Sequence, residues 1–355
     1  MYKLLSVIIA NLLIVILAFS AFAQADPKQT LSAAEKTAII NKTLELLNKN
    51  YVVPETAQKM EVFVRERLKK NEYENIIEPS DFAIRLTEDL QSISKDRHLR
   101  VTFSPNVIPP NPEGGFAPTK EELEQNRRTQ SRENFGVAKI DILKGNIGLI
   151  QFNYFTSPDW AGEIYTAAMN YLSGTDALII DLRSNAGSMH SDAVPFFLSY
   201  FFGKSVRLSD TYWRPNDDTR QFWTYVQVPG KRYLNKPVYI LTSRRTFSGG
   251  EELAYDMKVL KRATLIGELT GGGANGGGDQ RINDHFSVFV PIGRYINPIT
   301  KTNWEAVGVS PDIEIASNKA LYKAQLQAID QIQKQQMMPN GKNHSKTFKQ
   351  NSTRI

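Results

Sequence analysis

Residues 237–252 read PVYILTSRRTFSGGEE, in which an apolar run passes through a short polar turn into a helix-like sequence. The apolar run predicts a buried strand, and the turn that follows it presents Ser248. Gly249 and Gly250 then open the helix without side chains that would keep a substrate carbonyl away from backbone N–H groups. A helix N-terminus also stabilises developing negative charge. The arrangement is typical of a nucleophile held at a turn between a strand and a helix.

The same residues fit a purely structural interpretation. Ser248-x-x-Glu251 ahead of an apolar, helix-periodic run has the pattern of a capping box, in which the serine hydroxyl only satisfies an orphan helix N–H. This stretch by itself leaves both interpretations open, so the rest of the chain has to decide between them.

The first 25 residues differ in composition from the rest. Lys3 precedes a mostly apolar run that ends at Phe22, and the small residues Ala23 and Ala25 follow. The pattern predicts a secretory signal over residues 1–25 and a secreted or periplasmic protein. An uncleaved anchor is the alternative, because the run approaches spanning length. We expect membrane contact only through this segment before its cleavage.

Composition narrows the classes of chemistry. The 355 residues are 41% hydrophobic, which is enough for a real core, and no cysteine is present to form a disulfide, a thiolate nucleophile or a metal ligand. The net charge is +6, but residues 339–355 hold four basic residues and no acid. We therefore predict a basic disordered tail there, and no nucleic-acid partner.

Three helices are predicted in a small N-terminal domain, residues 26–104. Ser32 caps the first, Pro54 starts the second, and Ser80 caps the third. The pattern then changes to alternation, which places His98 at a helix-to-strand corner. Proline and charged residues dominate the segment 105–135, which predicts a linker or surface loop.

Helix and strand patterns alternate from residue 136 onward. We predict an α/β core with a mixed sheet over residues 136–316 and a C-terminal helix over 317–338. Within the core, the glycine-rich stretch 271–278 is predicted to be a flexible loop on the substrate side.

Cofactor and metal motifs are lacking. The spacing Gly271-x-Gly273-x-x-Gly276 formally matches a dinucleotide fingerprint, but a strand-like sequence follows where a helix is required. The HExxH motif and a phosphate loop of the form GxxxxGK[ST] are absent from the sequence. We predict an activity that needs no cofactor and no metal.

Several separated motifs in the chain resemble those of the tail-specific, or C-terminal processing, serine peptidase family. The similarity is to its branch containing interphotoreceptor retinoid-binding protein and the tricorn protease core. The motifs are NYVVPETAQKM from residue 50, DRHLRV from 96, ALIIDLRSNAG from 177, TSRRTFSGGEELAYDMKVLKRATLIGE from 242 and NWEAVGVSPDIEI from 303.

The resemblance implies a core like that of the crotonase and ClpP folds, preceded by a small helical domain, with Ser248 as nucleophile. In the lysine-using branch the base lies 25 residues after the serine, and this chain has Gly273 there. The tricorn-like arrangement instead implies His98 as base and Glu305 as supporting acid. It also implies oxyanion donors from the backbone at Gly249 and around Gly187 or Ser188.

One departure from the pattern concerns the acid. Arg97 stands where the tricorn-like pattern has a serine that links the histidine towards the glutamate. The resemblance therefore leaves open whether Glu305 reaches His98.

Together these observations predict an exported serine peptidase that cleaves unstructured or C-terminal polypeptide segments through an acyl-enzyme. Two alternatives stay open. The first is a non-catalytic binding module for retinoid-like or fatty ligands, which the resemblance permits, and the second is a crotonase-like acyl-CoA enzyme.

Overall fold

The computed structural model describes residues 30–110 and 120–337. The predicted signal segment 1–25 and basic tail 339–355 lie outside these residues. Eight α-helices are found in the described part of the chain: α1 Ala33–Asn50, α2 Pro54–Lys69, α3 Pro79–Ser94, α4 Lys120–Arg132, α5 Pro158–Leu172, α6 Ala193–Leu198, α7 Gly249–Val259 and α8 Ser317–Met337.

The strands form two sheets. They are β1 Arg100–Phe103, β2 Val137–Leu143, β3 Ile147–Phe152, β4 Ala177–Asp181, β5 Arg207–Trp213, β6 Asp218–Trp223, β7 Val238–Thr242, β8 Thr264–Gly267, β9 Asn275–Arg281, β10 Phe286–Ile296 and β11 Ile313–Glu314. The larger sheet has the order β11-β8-β7-β4-β3-β2. Only its β2–β3 hairpin is antiparallel, so the predicted mixed sheet and α/β fold are confirmed.

Both faces of this sheet are covered, which explains why its central strands are apolar throughout. On β4, Leu178 and Ile180 face a core built with α5, α6 and α7. Ala177 and Ile179 face the other side, where α8 packs. Successive side chains on a strand point to opposite faces, so an uninterrupted apolar run is buried on both.

Strand β10 organises the second sheet and joins the helical N-terminal region to the rest. It pairs antiparallel with β1 and β5 along one edge and with β9 along the other. Its residues Phe286, Val288 and Val290 share one core with α1, α2 and α3. The β1–β10 pairing fixes the corner that precedes β1, and His98 lies in that corner.

Three sequence predictions need correction. Helix α4 lies within the segment 105–135 that was predicted to be a linker or loop; its exposed, charged residues form a helix with no buried face. Residues 275–278 of the predicted glycine loop belong to β9, because the long β10 supplies pairing partners for their backbone. Ser80 lies inside the first turn of α3, which starts at Pro79 and has Glu78 as its N-cap residue.

No helix in the described ranges is long and apolar enough to cross a bilayer.

Candidate active site

Ser248 lies at the end of a tightly held turn between β7 and α7. The Thr246 hydroxyl donates to the Leu182 carbonyl at 2.8 Å, and the Phe247 N–H donates to the Asn185 carbonyl at 3.0 Å. Ser248 itself has φ +50° and ψ −119°, a conformation that non-glycine residues rarely adopt. Such a conformation costs about 1–3 kcal/mol and persists only where surrounding contacts impose it. The turn therefore fixes the direction of the Ser248 side chain.

Glu251 is the residue that fastens this turn. Its buried carboxylate accepts the Ser248 N–H at 2.9 Å, the Gly272 N–H at 2.6 Å and the Gly273 N–H at 2.8 Å. Burial raises the pKa of Glu251, while these hydrogen bonds oppose the shift. Ser248 and Glu251 are arranged as a capping box, but only the bond to the carboxylate has ordinary geometry. The hydroxyl is therefore not held as a helix cap.

Two backbone N–H groups beside Ser248 have no acceptor among residues 30–110 and 120–337: those of Gly249 and Ser188. The two residues are in close contact, since a β-carbon placed on Gly249 would lie 2.8 Å from the Ser188 nitrogen. The Gly187 N–H, in contrast, donates to the Asn185 side chain at 2.9 Å. Of the two sequence candidates on this loop, Ser188 therefore offers the free donor, while Gly187 provides the close approach to Ser248.

His98 follows the end of α3, where Lys95 in the left-handed conformation terminates the helix. The imidazole lies between Phe247 and Phe289, with ring centroids 4.5 and 5.9 Å away. Burial, together with Arg100 and Arg97, lowers the pKa of His98 to about 4. The imidazole is therefore neutral over the physiological range and can accept a proton.

Gly273, the position of the lysine in the lysine-using branch, lies directly against His98. A β-carbon there would be 2.7 Å from Cε1 of the imidazole and 2.3 Å from the Phe247 ring. In this chain the Phe247 ring and the imidazole thus occupy the space that a side chain at position 273 would need.

Two carboxylates lie behind the imidazole. One ring nitrogen of His98 and an oxygen each from Asp96 and Glu305 are within 4.8 Å of one another. Asp96 Oδ1 is 3.8 Å from Nδ1 of the His98 ring and accepts a hydrogen bond from the His98 backbone N–H at 3.0 Å. Glu305 Oε2 accepts the N–H groups of Ala274 and Asn275 at 2.6 and 3.0 Å.

Two polar atoms of this cluster are unsatisfied. In the described part of the chain, buried His98 Nδ1 and Glu305 Oε1 both lack a hydrogen-bond partner. Burial and the neighbouring Asp96 raise the pKa of Glu305 to about 8, so its carboxyl group is protonated at neutral pH. Arg97 does not bridge the gap, because its guanidinium turns away to donate to the Gly271 carbonyl at 2.9 Å.

These three side chains are also a donor set that a divalent cation could use. However, Asp96 Oδ2 already accepts the Tyr51 hydroxyl at 3.2 Å and the Asn275 amide at 2.9 Å. Asp96 is thus held in place by hydrogen bonds from neighbouring side chains.

Ser248, Gly249, Ser188 and His98 all line one cavity of about 530 Å³. No hydrogen bond joins the Ser248 hydroxyl to the imidazole within residues 30–110 and 120–337; such contacts often tighten only when substrate binds. Glu305 does not reach this cavity and lies behind His98.

Sequence reasoning missed two residues that organise the site, Asp96 and Asn185, and it identified Glu251 only as the acid of a capping box. Asp96 stands two residues before His98, so an acid beside the histidine in DRH was an available signal. Asn185 accepts the Gly187 N–H, and Glu251 also accepts the distant Gly272 and Gly273 N–H groups; their sequence context gives no sign of these contacts.

Comparison with known families identifies the class of protein. Residues 146–315 match the model of Peptidase family S41, and residues 20–136 match the N-terminal domain of Peptidase_S41 in eukaryotic IRBP. The two matches cover most of the chain and define its class, a serine-type peptidase. The chain belongs to peptidase family S41.

Solved structures support the fold. A putative peptidase from Parabacteroides merdae is 17% identical, with a TM-score of 0.52 over 86% of this chain and 98% of that chain. Mature CPAF is 12% identical, with a TM-score of 0.56 over 84% and 97%. The tricorn protease is 15% identical, with a TM-score of 0.54 over 85% of this chain and 37% of its own.

Proposed function

We propose that the chain is an exported serine peptidase that cleaves unstructured or C-terminal segments of polypeptides through an acyl-enzyme. The observation with most weight is that the N–H groups of Gly249 and Ser188, beside the strained Ser248, have no acceptor in the described part of the chain. Donors without acceptors are costly unless a ligand or water satisfies them. A developing oxyanion would satisfy both.

In the proposed mechanism, the Ser248 hydroxyl attacks the scissile carbonyl while His98 takes its proton. The carbonyl π electrons move to oxygen, and the resulting oxyanion accepts the N–H groups of Gly249 and Ser188. When the tetrahedral intermediate collapses, the C–N bond breaks and His98 returns the proton to the departing amine. Ser248 is left as an ester.

Deacylation repeats these steps with water. His98 removes a proton from water, the hydroxide attacks the ester, and the same two N–H groups receive the second oxyanion. Collapse breaks the ester bond and the proton returns to Ser248. The new C-terminal acid is then released and the enzyme is restored.

Asp96 and Glu305 have a supporting role in this proposal. His98 becomes a buried imidazolium twice in each cycle, which burial disfavours. A carboxylate within 4.8 Å stabilises that charge and orients the ring. Since the pKa of Glu305 is about 8, its contribution as an anion increases as the pH rises through that value.

The predicted signal over residues 1–25 supports export, and it lies outside the described residues. The preference for unstructured segments is supported by the half-buried position of Ser248 in a cavity of about 530 Å³, which admits an extended chain more readily than a folded surface. The retinoid-binding alternative is less favoured, because a purely apolar ligand would leave the Gly249 and Ser188 N–H groups unsatisfied.

The test uses the purified mature chain with an unfolded polypeptide as substrate, and mass spectrometry to identify the new ends. We expect cleavage by the parent and none by Ser248→Ala with an unchanged circular dichroism spectrum. Cleavage by the variant at the parent rate would contradict the serine mechanism. An intact Met1 on protein recovered from membranes would contradict export.

A further inference from the structure

The cavity that contains Ser248 extends along α7 to Glu252. Glu252 is four residues beyond Ser248, which is about one helical turn or roughly 6 Å along the axis. Its carboxylate has no hydrogen-bond donor and no ion-pair partner in the two described ranges. It is only partly exposed. An acid in the wall of a substrate cavity is thus available to a ligand.

A second polar atom without a partner lies in the same cavity. Ser209 is 1% exposed and lines the cavity, and its hydroxyl has no hydrogen-bond partner among the described residues. The neighbouring wall is aromatic, formed by Phe222, Tyr295 and Trp304. This part of the cavity therefore offers a carboxylate and a hydroxyl among apolar surfaces.

A further acid lies next to Glu252 on α7. Asp256 is fully buried, and its Oδ1 accepts the Tyr295 hydroxyl at 2.5 Å, while Oδ2 has no partner in the described chain. The negative charge of Asp192 also raises the pKa of Glu252. Acids grouped in a low-dielectric cleft raise one another's pKa, and a bound cation relieves their mutual repulsion.

We propose that this region binds a lysine or arginine side chain of the substrate, on the residue whose carbonyl Ser248 attacks, and that Glu252 determines this specificity. The inference depends on the proposed function, since it names the substrate class of the same site. The aliphatic stem of a basic side chain suits the aromatic wall, and its cationic end suits Glu252 and Ser209. An apolar side chain would leave both polar groups unpaired.

Ionisation gives the proposal a pH dependence. Burial, Asp256 and Asp192 raise the pKa of Glu252 well above its ordinary value, so its ionisation is displaced to higher pH. A bound arginine favours the ionised carboxylate, so the preference for arginine grows with pH. Burial raises the pKa of Asp256 to about 8, and its ionisation above that pH adds to the effect.

The other titratable groups around this region do not reverse the expected rise of the arginine preference with pH. Tyr295, facing Glu252 from β10, has a pKa raised far above 10 by burial and the two acids, so it stays neutral. His98 has a pKa of about 4 and is also neutral. Arg100 and His190 line the cavity too; positive charge on them lowers the preference for arginine over glutamine but does not make that preference fall as the pH rises.

The test compares kcat/KM for two fluorogenic peptides that are identical except for arginine or glutamine before the scissile bond. The parent should prefer arginine by roughly 10- to 100-fold at pH 8, with a ratio that rises from pH 5 to 9. Glu252→Gln should bring the ratio close to one. Glu163→Gln, an exposed acid on α5, is the matched control and should keep the parent ratio.

A second measurement on the parent avoids any effect of substitution on folding. Benzamidine should protect Ser248 from a fluorophosphonate label, whereas the uncharged benzamide should not. Equal protection by both compounds, no protection by benzamidine, or equal kcat/KM for both peptides would overturn the inference, leaving Glu252 as an acid that only stabilises the α7 N-terminus. A chain that neither labels nor cleaves any peptide would instead overturn the proposed function itself.

Discussion

Replacing His98 with glutamine should change how stability depends on pH. The pKa of His98 is lowered from 6.5 to about 4 by burial and by Arg100 and Arg97. A group with a depressed folded-state pKa stabilises the protein above its unfolded pKa, and this stabilisation is lost as the pH falls towards the folded value. A shift of this size corresponds to about 3 kcal/mol lost by the parent between pH 7 and 4.

The assay is urea unfolding of the parent and His98→Gln at pH 7 and pH 4. Glutamine does not titrate, so the variant should lose about 3 kcal/mol less than the parent over this interval, whatever its stability at pH 7. Other titrating groups are common to both proteins and cancel. The pH 7 to 8 interval is the internal control, and there the two proteins should change in parallel. Equal losses between pH 7 and 4 would refute the assignment of a buried, neutral His98.

Three further predictions concern the same site. Glu305→Gln should lower kcat/KM by roughly 10- to 1000-fold and remove the rise in activity through pH 8; a pH–rate profile identical to that of the parent would contradict this. Gly273→Ala should force the His98 imidazole to move, destabilise the fold by about 1–3 kcal/mol and lower kcat by about 100-fold or more. Its matched control is Gly278→Ala, where a β-carbon meets nothing within 4 Å, and equal kinetics for the two variants would exclude the steric argument. In urea unfolding, Ser248→Gly should have a free energy of unfolding about 1 kcal/mol higher than that of Ser248→Ala, because glycine adopts the backbone conformation at this position without strain. Both should be inert, and a less stable glycine variant would argue against strain.

The local sequence was enough to predict the strand, turn and helix that position Ser248. An apolar run, a polar turn and two glycines before a periodic apolar sequence predict a strand, a turn and a helix, and the structure has β7 and α7 at these positions. The helix-to-strand corner at His98 could be read for the same reason, because the hydrophobic period changes there. Patterns of this kind depend only on neighbours along the chain.

Contacts between distant segments could not be read in this way. Glu251 accepts hydrogen bonds from the backbone of Gly272 and Gly273, about 20 residues away. The Asn275 side chain, far from Asp96 in sequence, donates a hydrogen bond to the Asp96 carboxylate. The assignment of residues 275–278 to a loop failed for a similar reason. Glycines have low strand propensity, but pairing along β10 satisfied their backbone groups and overrode it.

The position of Glu305 shows the limit of the family resemblance. The resemblance implied an acid supporting His98, and the structure does bring Glu305 to the cluster. It could not indicate that Asp96 lies on the same side of the imidazole, or that Arg97 turns towards Gly271. These features depend on side-chain packing around one corner of the chain.

The central claim is that Ser248 is a nucleophile activated by His98, and labelling with a fluorophosphonate followed by peptide mass spectrometry tests it most directly. We expect a single phosphonylated residue, Ser248, in the parent, with a rate that falls at least 100-fold in His98→Gln. A label on another residue, or an unlabelled Ser248 in a preparation that cleaves peptides, would contradict the account.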